Sequence, residues 1–226
     1  MNLFRMRGAW GALEAWGYSQ VVAAGLEPLY QRFVHEVVDH EVVAERPGTV
    51  VDVGCGGGQV SRLLAGRLPG ARVIGVDLSG AMVARARAAG RRLGNLEIRR
   101  GDAMDLPLPP ASADLCVSVA SIKHWPDQRR GLEQIRRVLR PGGSMVILEV
   151  DRRCDPAAAR AFAAYWRHVL PGTRPLLAWY FRRFVAGQGL DHEQLQGLVR
   201  AAGFGAPELL QMDELPFVVA RARAPG

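Results

Sequence analysis

The run Thr49-Val50-Val51-Asp52-Val53 passes directly into Gly54-Cys55-Gly56-Gly57-Gly58 and then into a helical pattern from Val60 to Leu68. A β-branched run that ends in closely spaced glycines commits the chain to a strand, a tight turn and a helix. At such a turn glycine lets backbone approach a ligand, and the amides that open the helix supply hydrogen-bond donors. Glycine also simply makes turns, so the meaning of this one depends on what surrounds it.

Beyond the turn, strands and helices alternate regularly. Arg72 to Asp77 reads as a strand, Gly80 to Leu93 as a helix and Leu96 to Arg99 as a strand. Leu115 to Ala120 reads as a fourth strand, Gln128 to Leu139 as a helix stopped by Pro141-Gly142-Gly143, and Ser144 to Val150 as a fifth strand. Apolar strands alternating with helices imply a parallel sheet covered on both faces. Asp191 reads as the N-cap of a helix running to Ala202 and closed by Gly203. Glu208 to Gln211 and Phe217 to Arg221 are expected as two last strands, antiparallel because their connection is short. Two segments stand outside this rhythm. Residues 8–43 read as two helices with Gly25 and Pro28 near their junction, and residues 155–190 are helical in propensity and rich in aromatics and arginine.

The 226 residues fit one generous domain with a sizeable core. The net charge of +7 comes almost wholly from arginine, since Lys123 is the chain's only lysine. Arginine forks suit phosphates, which brings nucleic acid into consideration; the pairs are spread along the chain, however, and solvated helix faces explain them as well. Cys55, Cys116 and Cys154 make an odd count without a CxxC pair, which argues against a disulfide framework and a structural zinc site, and for a reduced, cytoplasmic setting. His35-Glu36-Val37-Val38-Asp39 misses the zinc motif H-E-x-x-H at its fifth residue, and no metal site is expected. No apolar run is long enough to span a membrane.

Three acids end successive strands. Asp52 lies just before the first glycine of the turn, where the pattern is D-x-G-x-G-x-G. Gln59 stands where a dinucleotide turn has its last glycine or alanine, and no G-x-x-x-x-G-K-[ST] phosphate loop exists. Asp77, about twenty positions after the turn, can accept hydrogen bonds from both ribose hydroxyls or cap the helix after it. Asp102, in Gly101-Asp102-Ala103, can accept an adenine amino group while the Ala103 amide reaches a ring nitrogen; a lone Asp there is otherwise a turn residue.

With these motifs the chain resembles the class I S-adenosylmethionine (SAM)-dependent methyltransferases, in the methyltransferase domain 11 or UbiE-like group. The resemblance rests on Val50 to Gly58, on Gly75-Val76-Asp77-Leu78-Ser79-Gly80-Ala81-Met82, on Gly101-Asp102-Ala103, on Asp114 to Ser118, and on Val138-Leu139-Arg140-Pro141-Gly142-Gly143. It is good over 45–151, recovers in 190–222, and is weak in 1–44 and 152–189. It implies an α/β, Rossmann-like sheet of seven mostly parallel strands in the order 3-2-1-4-5-7-6, strand seven antiparallel. One methyltransferase domain over 1–226 then has its SAM-binding core at 45–151 and 190–226. An N-terminal helical lid (1–44) and a helical lid insertion (152–189) complete it. Carried over by position, Gly54, Cys55 and Gly56 lie along the methionine part of SAM, with Asp52 nearby and Gly58 completing the turn. Asp77 holds the ribose, Leu78 and Met82 pack on adenine, and Asp102 and Ala103 read its edge. Met82 is otherwise plain helix core.

Methyl transfer to give S-adenosyl-L-homocysteine is an in-line displacement, in which the cofactor supplies the reactivity and the protein aligns the acceptor. The segment Ser121-Ile122-Lys123-His124-Trp125-Pro126-Asp127 is the candidate base region. His124 can deprotonate a hydroxyl and Lys123 can bind an anionic acceptor; the structural alternatives are a packing histidine and a solvated lysine. Relatives often carry a histidine where this chain has Lys123. The aromatic, arginine-bearing lid points to a small organic acceptor with a ring or apolar body, its O, N or C acceptor atom open. Alternatives are an RNA methyltransferase and a non-catalytic SAM- or nucleotide-binding module.

Overall fold

A computed structural model describes residues 23–35, 47–166, 174–212 and 214–226. The helices expected in 8–22 and 36–43 lie outside these residues. The strands are β1 (Thr49–Val53), β2 (Arg72–Asp77), β3 (Leu96–Arg100), β4 (Ala113–Val119), β5 (Leu139–Val150), β6 (Glu208–Gln211) and β7 (Phe217–Arg223). They form one sheet in the order β3-β2-β1-β4-β5-β7-β6. Every pairing from β3 to β5 is parallel, and β7 runs antiparallel to both β5 and β6. The expected order and direction of strands both hold.

Strand alternation divides the core in two. Val50, Val73, Leu115, Val117, Val146 and Leu148 pack with α1 (Ala23–Phe33) and α2 (Gln59–Arg67) on one face. Val51, Val53, Ile74, Val76, Cys116, Met145 and Ile147 pack with α4 (Gln128–Val138) and α7 (His192–Ala201) on the other. The helix α3 (Gly80–Gly90) lays Val83 and Ala86 on Cys55 and Ile98. Asp191 caps α7 in a reciprocal capping box with Gln194, and Gly203 (φ 86°) closes it, as the sequence predicts. Such a cap contributes about 1 kcal/mol.

Three local expectations are corrected. Gly25 and Pro28 lie inside α1 rather than at a junction; burial of Leu26, Leu29, Tyr30 and Phe33 offsets the proline's missing donor. The helix α3 stops at Gly90 instead of Leu93, because Gly90 packs so tightly on Leu96 that a Cβ there would sit 2.6 Å from Leu96 Cδ2. Pro141-Gly142-Gly143 belongs to β5, whose amide at Gly142 and carbonyl at Gly143 pair with Ala224.

The segment between β5 and α7 leaves the sheet and returns to the same place. Asp151 and Leu190 form an isolated parallel bridge, Leu190 N–H donates to the Val150 carbonyl at 3.0 Å, and a Cβ on Gly189 would stand 2.0 Å from that carbonyl oxygen. Between these points run α5 (Pro156–Ala163), a 3-10 turn (Ala164–Trp166), α6 (Arg174–Tyr180) and a π-helical turn (Phe181–Val185). Phe162 fastens the insertion down, its ring 4.4 Å from that of Phe181 and 5.2 Å from that of Phe217. Trp179 of the insertion is 57 % exposed.

Candidate functional site

Parallel strands direct their carboxyl ends to one edge of the sheet, and the chain reverses direction of winding between β1 and β4. A crevice opens at such a switch point. The turn at its lip is unusual in backbone: Gly54, Gly56 and Gly58 have φ of 76°, 53° and 78°. L-residues rarely adopt this region, so the three alternate glycines are structural requirements. The Gly54 and Cys55 amides both donate to the Val76 carbonyl, at 2.8 and 3.0 Å, which ties the turn to β2. Gly58 begins α2 against Ala86 of α3, where a Cβ would stand 2.9 Å from the alanine methyl. Gly56 alone of the three faces open space, with no atom within 4 Å of the Cβ direction.

The acids occupy three different environments. Asp77 Oδ2 accepts the Gly56 amide at 2.8 Å and Oδ1 accepts the Ser79 amide at 2.9 Å. Burial raises its pKa, and those two backbone donors oppose the rise. It is therefore fixed at the crevice with acceptor capacity remaining on both oxygens. Ser79, not Asp77, caps α3, through the Met82 amide. Asp52 is buried, with Oδ2 accepting from Ser61 Oγ at 2.6 Å. Desolvation pushes its pKa up to about 7, the Ser61 hydroxyl pulls down, and the Asp77 charge adds to the rise. Asp102 Oδ1 accepts the Met104 amide at 2.9 Å, closing a local turn. The Asp77 carbonyl accepts the Gly101 amide at 3.0 Å, so the ends of β2 and β3 are joined beside the turn.

Leu78, next to Asp77, is 44 % exposed, an apolar surface at the crevice. Met82 is buried within α3, and Ala103 packs against the second core cluster. The Cys55 thiol is buried, and its pKa is raised first by desolvation and then by Asp52 and Asp77, so it stays a neutral thiol. An open glycine cradle, an anchored carboxylate and an exposed apolar side chain fit an adenosyl ligand without phosphate.

Opposite the glycine turn is the turn after β4. Ser121 lies against Gly54, and its Oγ accepts the Trp125 indole N–H at 3.0 Å. Lys123 is not a solvated tip: its side chain is 7 % exposed and its ammonium lies 2.8 Å from Glu149 Oε1, in a carboxylate with no exposure at all. That placement turns the ammonium inward, onto Glu149 and the Ala120 carbonyl. His124 sits exposed on the rim of this turn. Protein crowded around the ring, then the Lys123 ammonium, push its pKa down to about 4, against the pull of Glu149; the imidazole is neutral at neutral pH. Sequence reasoning singled out Ser121 only as part of the candidate base segment, and it missed Ser61 and Glu149. Ser61 meets Asp52 from across the glycine turn, 9 positions away, and Glu149 meets Lys123 from 26 positions away, so neither pairing follows from the local pattern.

Among the described residues no group of three His, Cys, Asp or Glu gathers to hold a metal, and no helix is long and apolar enough to cross a membrane. Residue His35 of the near-miss zinc motif is described, whereas 36–39 are outside the described residues.

The sequence profile described as a methyltransferase domain matches residues 51–147. A demethylmenaquinone methyltransferase of Deinococcus radiodurans is 32% identical over 172 residues, covering 73% of this chain and 70% of the relative. One of Symbiobacterium thermophilum is 32% identical over 208 residues, covering 82% and 78%. A solved SAM-dependent methyltransferase from Aquifex aeolicus shares the fold, with a TM-score of 0.61 at 17% identity over 82% of this chain and 88% of that one. Together these define a SAM-dependent methyltransferase. The chain belongs to the methyltransferase-domain family, in its UbiE-like group.

Proposed function

We propose that this enzyme methylates a small organic acceptor with a ring, of the demethylated quinone type, at a ring carbon. The observation that carries this reading is the pairing of the glycine crevice with an exposed, neutral His124 on the facing turn. The demethylmenaquinone methyltransferases of Deinococcus radiodurans and Symbiobacterium thermophilum support the acceptor class by their names.

In this reading Gly54, Cys55 and Gly56 run along the methionine part of SAM, and Gly58 sets the start of α2. Asp77 holds the ribose hydroxyls, Leu78 covers one adenine face with Met82 behind it, and Asp102 and Ala103 read the adenine edge. Asp52 supports the turn from beneath through Ser61. When bound, SAM supplies an electrophilic methyl on its sulfonium. The protein's part is to orient the acceptor, exclude water and accept a proton. His124 accepts it at a ring nitrogen from a ring hydroxyl, which makes the neighbouring carbon more nucleophilic; once that carbon takes the methyl from sulfur, its own proton moves to the ring oxygen and the aromatic ring is restored. The N-terminal segment (1–44) and the insertion (152–189) act as lids over the core formed by 45–151 and 190–226, and they choose the acceptor.

Methyl transfer from labelled SAM to a short-chain demethylmenaquinol, compared with simple phenols and with tRNA, tests the reading. Product with the quinol is expected. Product with RNA alone would overturn it, and SAM binding without any methylated acceptor would favour a non-catalytic module.

A further inference from the structure

We propose that the buried Lys123–Glu149 pair is a positioning device, which holds the turn after β4 against the glycine turn and fixes His124 at its rim. The inference rests on the reading that the glycine turn holds SAM. The chain leaves β4 through Ala120, whose φ of 51° is uncommon for a residue with a Cβ. The surroundings must therefore hold this bend in place. They do so from both sides. The Ala120 amide donates to the Leu148 carbonyl of β5, and the Ala120 carbonyl accepts from the Lys123 ammonium.

Glu149 is the hub. Its Oε1 accepts Lys123 Nζ at 2.8 Å and the Val150 amide at 2.7 Å, while Oε2 accepts the Lys123 amide at 3.1 Å. One carboxylate thus grips the same lysine by backbone and by side chain, so the turn cannot slide along β5. Burying two charges is costly, and an apolar pair of similar size would serve packing as well or better. The geometry supplies the reason for the pair: the residues it fixes are Ser121, wedged on Gly54, and His124, beside Lys123 at the rim. Lys123 and Glu149 are also the charged groups that act on the His124 ring, the first lowering and the second raising its affinity for a proton. Neither residue touches the reacting atoms; both act through Ser121 and His124.

Calorimetry with SAM and a nuclear magnetic resonance titration of His124, assigned by comparison with His124→Gln, test this on four proteins: wild type, Glu149→Gln, Lys123→Met and the double variant. Glu149→Gln is expected to weaken SAM binding at least tenfold. Lys123→Met is expected to raise the His124 midpoint above that of wild type, and Glu149→Gln to lower it. The double variant should regain the melting temperature that the single variants lose, yet keep the weakened SAM affinity, with a His124 midpoint between those of the two single variants because both charges acting on the ring are gone. Single variants that bind SAM within twofold of wild type would overturn the proposal. So would a double variant that recovers affinity together with stability, or one that does not fold, since a positioning pair is dispensable for folding. Wild-type protein that binds no SAM would instead refute the assignment of the glycine turn, while the His124 titration still reports on the pair.

Discussion

Gly54 and Ser121 meet across the ends of β1 and β4: a Cβ on Gly54 would stand 1.9 Å from Ser121 Oγ and 2.6 Å from Ser121 Cβ. The two turns that bound the crevice are therefore in contact, with no room for a methyl group between them. The glycine is needed twice over, for this contact and for its φ of 76°.

Gly54→Ala should weaken SAM binding by tenfold or more, a loss of about 1.4 kcal/mol or greater. Adding Ser121→Gly should restore part of the affinity by removing the clash, leaving a backbone cost of roughly 1–2 kcal/mol. Calorimetric Kd values for the two variants check both steps; equal affinity in the single variant and wild type would show that binding does not depend on the contact.

Asp77 and Asp102 should differ in weight. Asp77 is anchored by two amides at the crevice, and a charged acceptor of ligand hydroxyls contributes about 1.5–3 kcal/mol. Asp77→Asn should therefore cost roughly ten- to a hundredfold in SAM affinity. Asp102→Asn should cost only a few-fold, because an amide oxygen can still accept from Met104. Reversal of that ranking in a binding titration would count against the roles proposed for them.

Asp52 makes stability depend on pH in an unusual direction. Its folded pKa, about 7, lies above the unfolded value of 3.8, so the folded state holds the proton more tightly. The contribution is complete below pH 4 and is lost as pH rises through 7. Over that window it is on the order of a few kcal/mol. Asp52→Asn keeps an oxygen for the Ser61 hydroxyl and cannot ionise, so urea unfolding should find it at least as stable as wild type at pH 8. The pH 5 to pH 8 decline seen in wild type should be smaller in the variant.

Phe162→Ala should loosen the insertion between β5 and α7. Removing a buried phenylalanine costs about 3–5 kcal/mol. For a chain of this length that lowers the melting temperature on the order of 10 °C. The KM for the acceptor should rise more than the Kd for SAM, and steady-state kinetics beside calorimetry separate the two.

Much of the fold was legible in the residues. Thr49 to Val53 and the glycines after it have the composition of one local structure, and the alternating apolar faces of Val50 and Val51 announce a sheet buried on both sides. Asp77 could be placed because it ends a strand at a fixed interval from the turn. Glu149 could not: in the run from Met145 to Val150 it reads as one more strand residue, and its partner lies 26 positions earlier. The inward turn of Lys123 was hidden for the same reason. Gly90 and Pro141-Gly142-Gly143 misled because close packing on Leu96 and pairing with Ala224 are tertiary facts, which overrule local punctuation. The insertion's anchors were likewise hidden: the aromatics that fasten it are Phe162 and Phe181, while Trp179 faces outward.

The bridge between Asp151 and Leu190 makes the segment between them a cassette whose two ends share one socket. Closing such a loop costs free energy that grows only with the logarithm of its length. Evolution, or an engineer, can therefore lengthen, shorten or exchange that cassette without disturbing the strands that carry the glycine-turn crevice. If the insertion chooses the acceptor as proposed, such a scaffold changes what it modifies while its source of methyl groups stays constant.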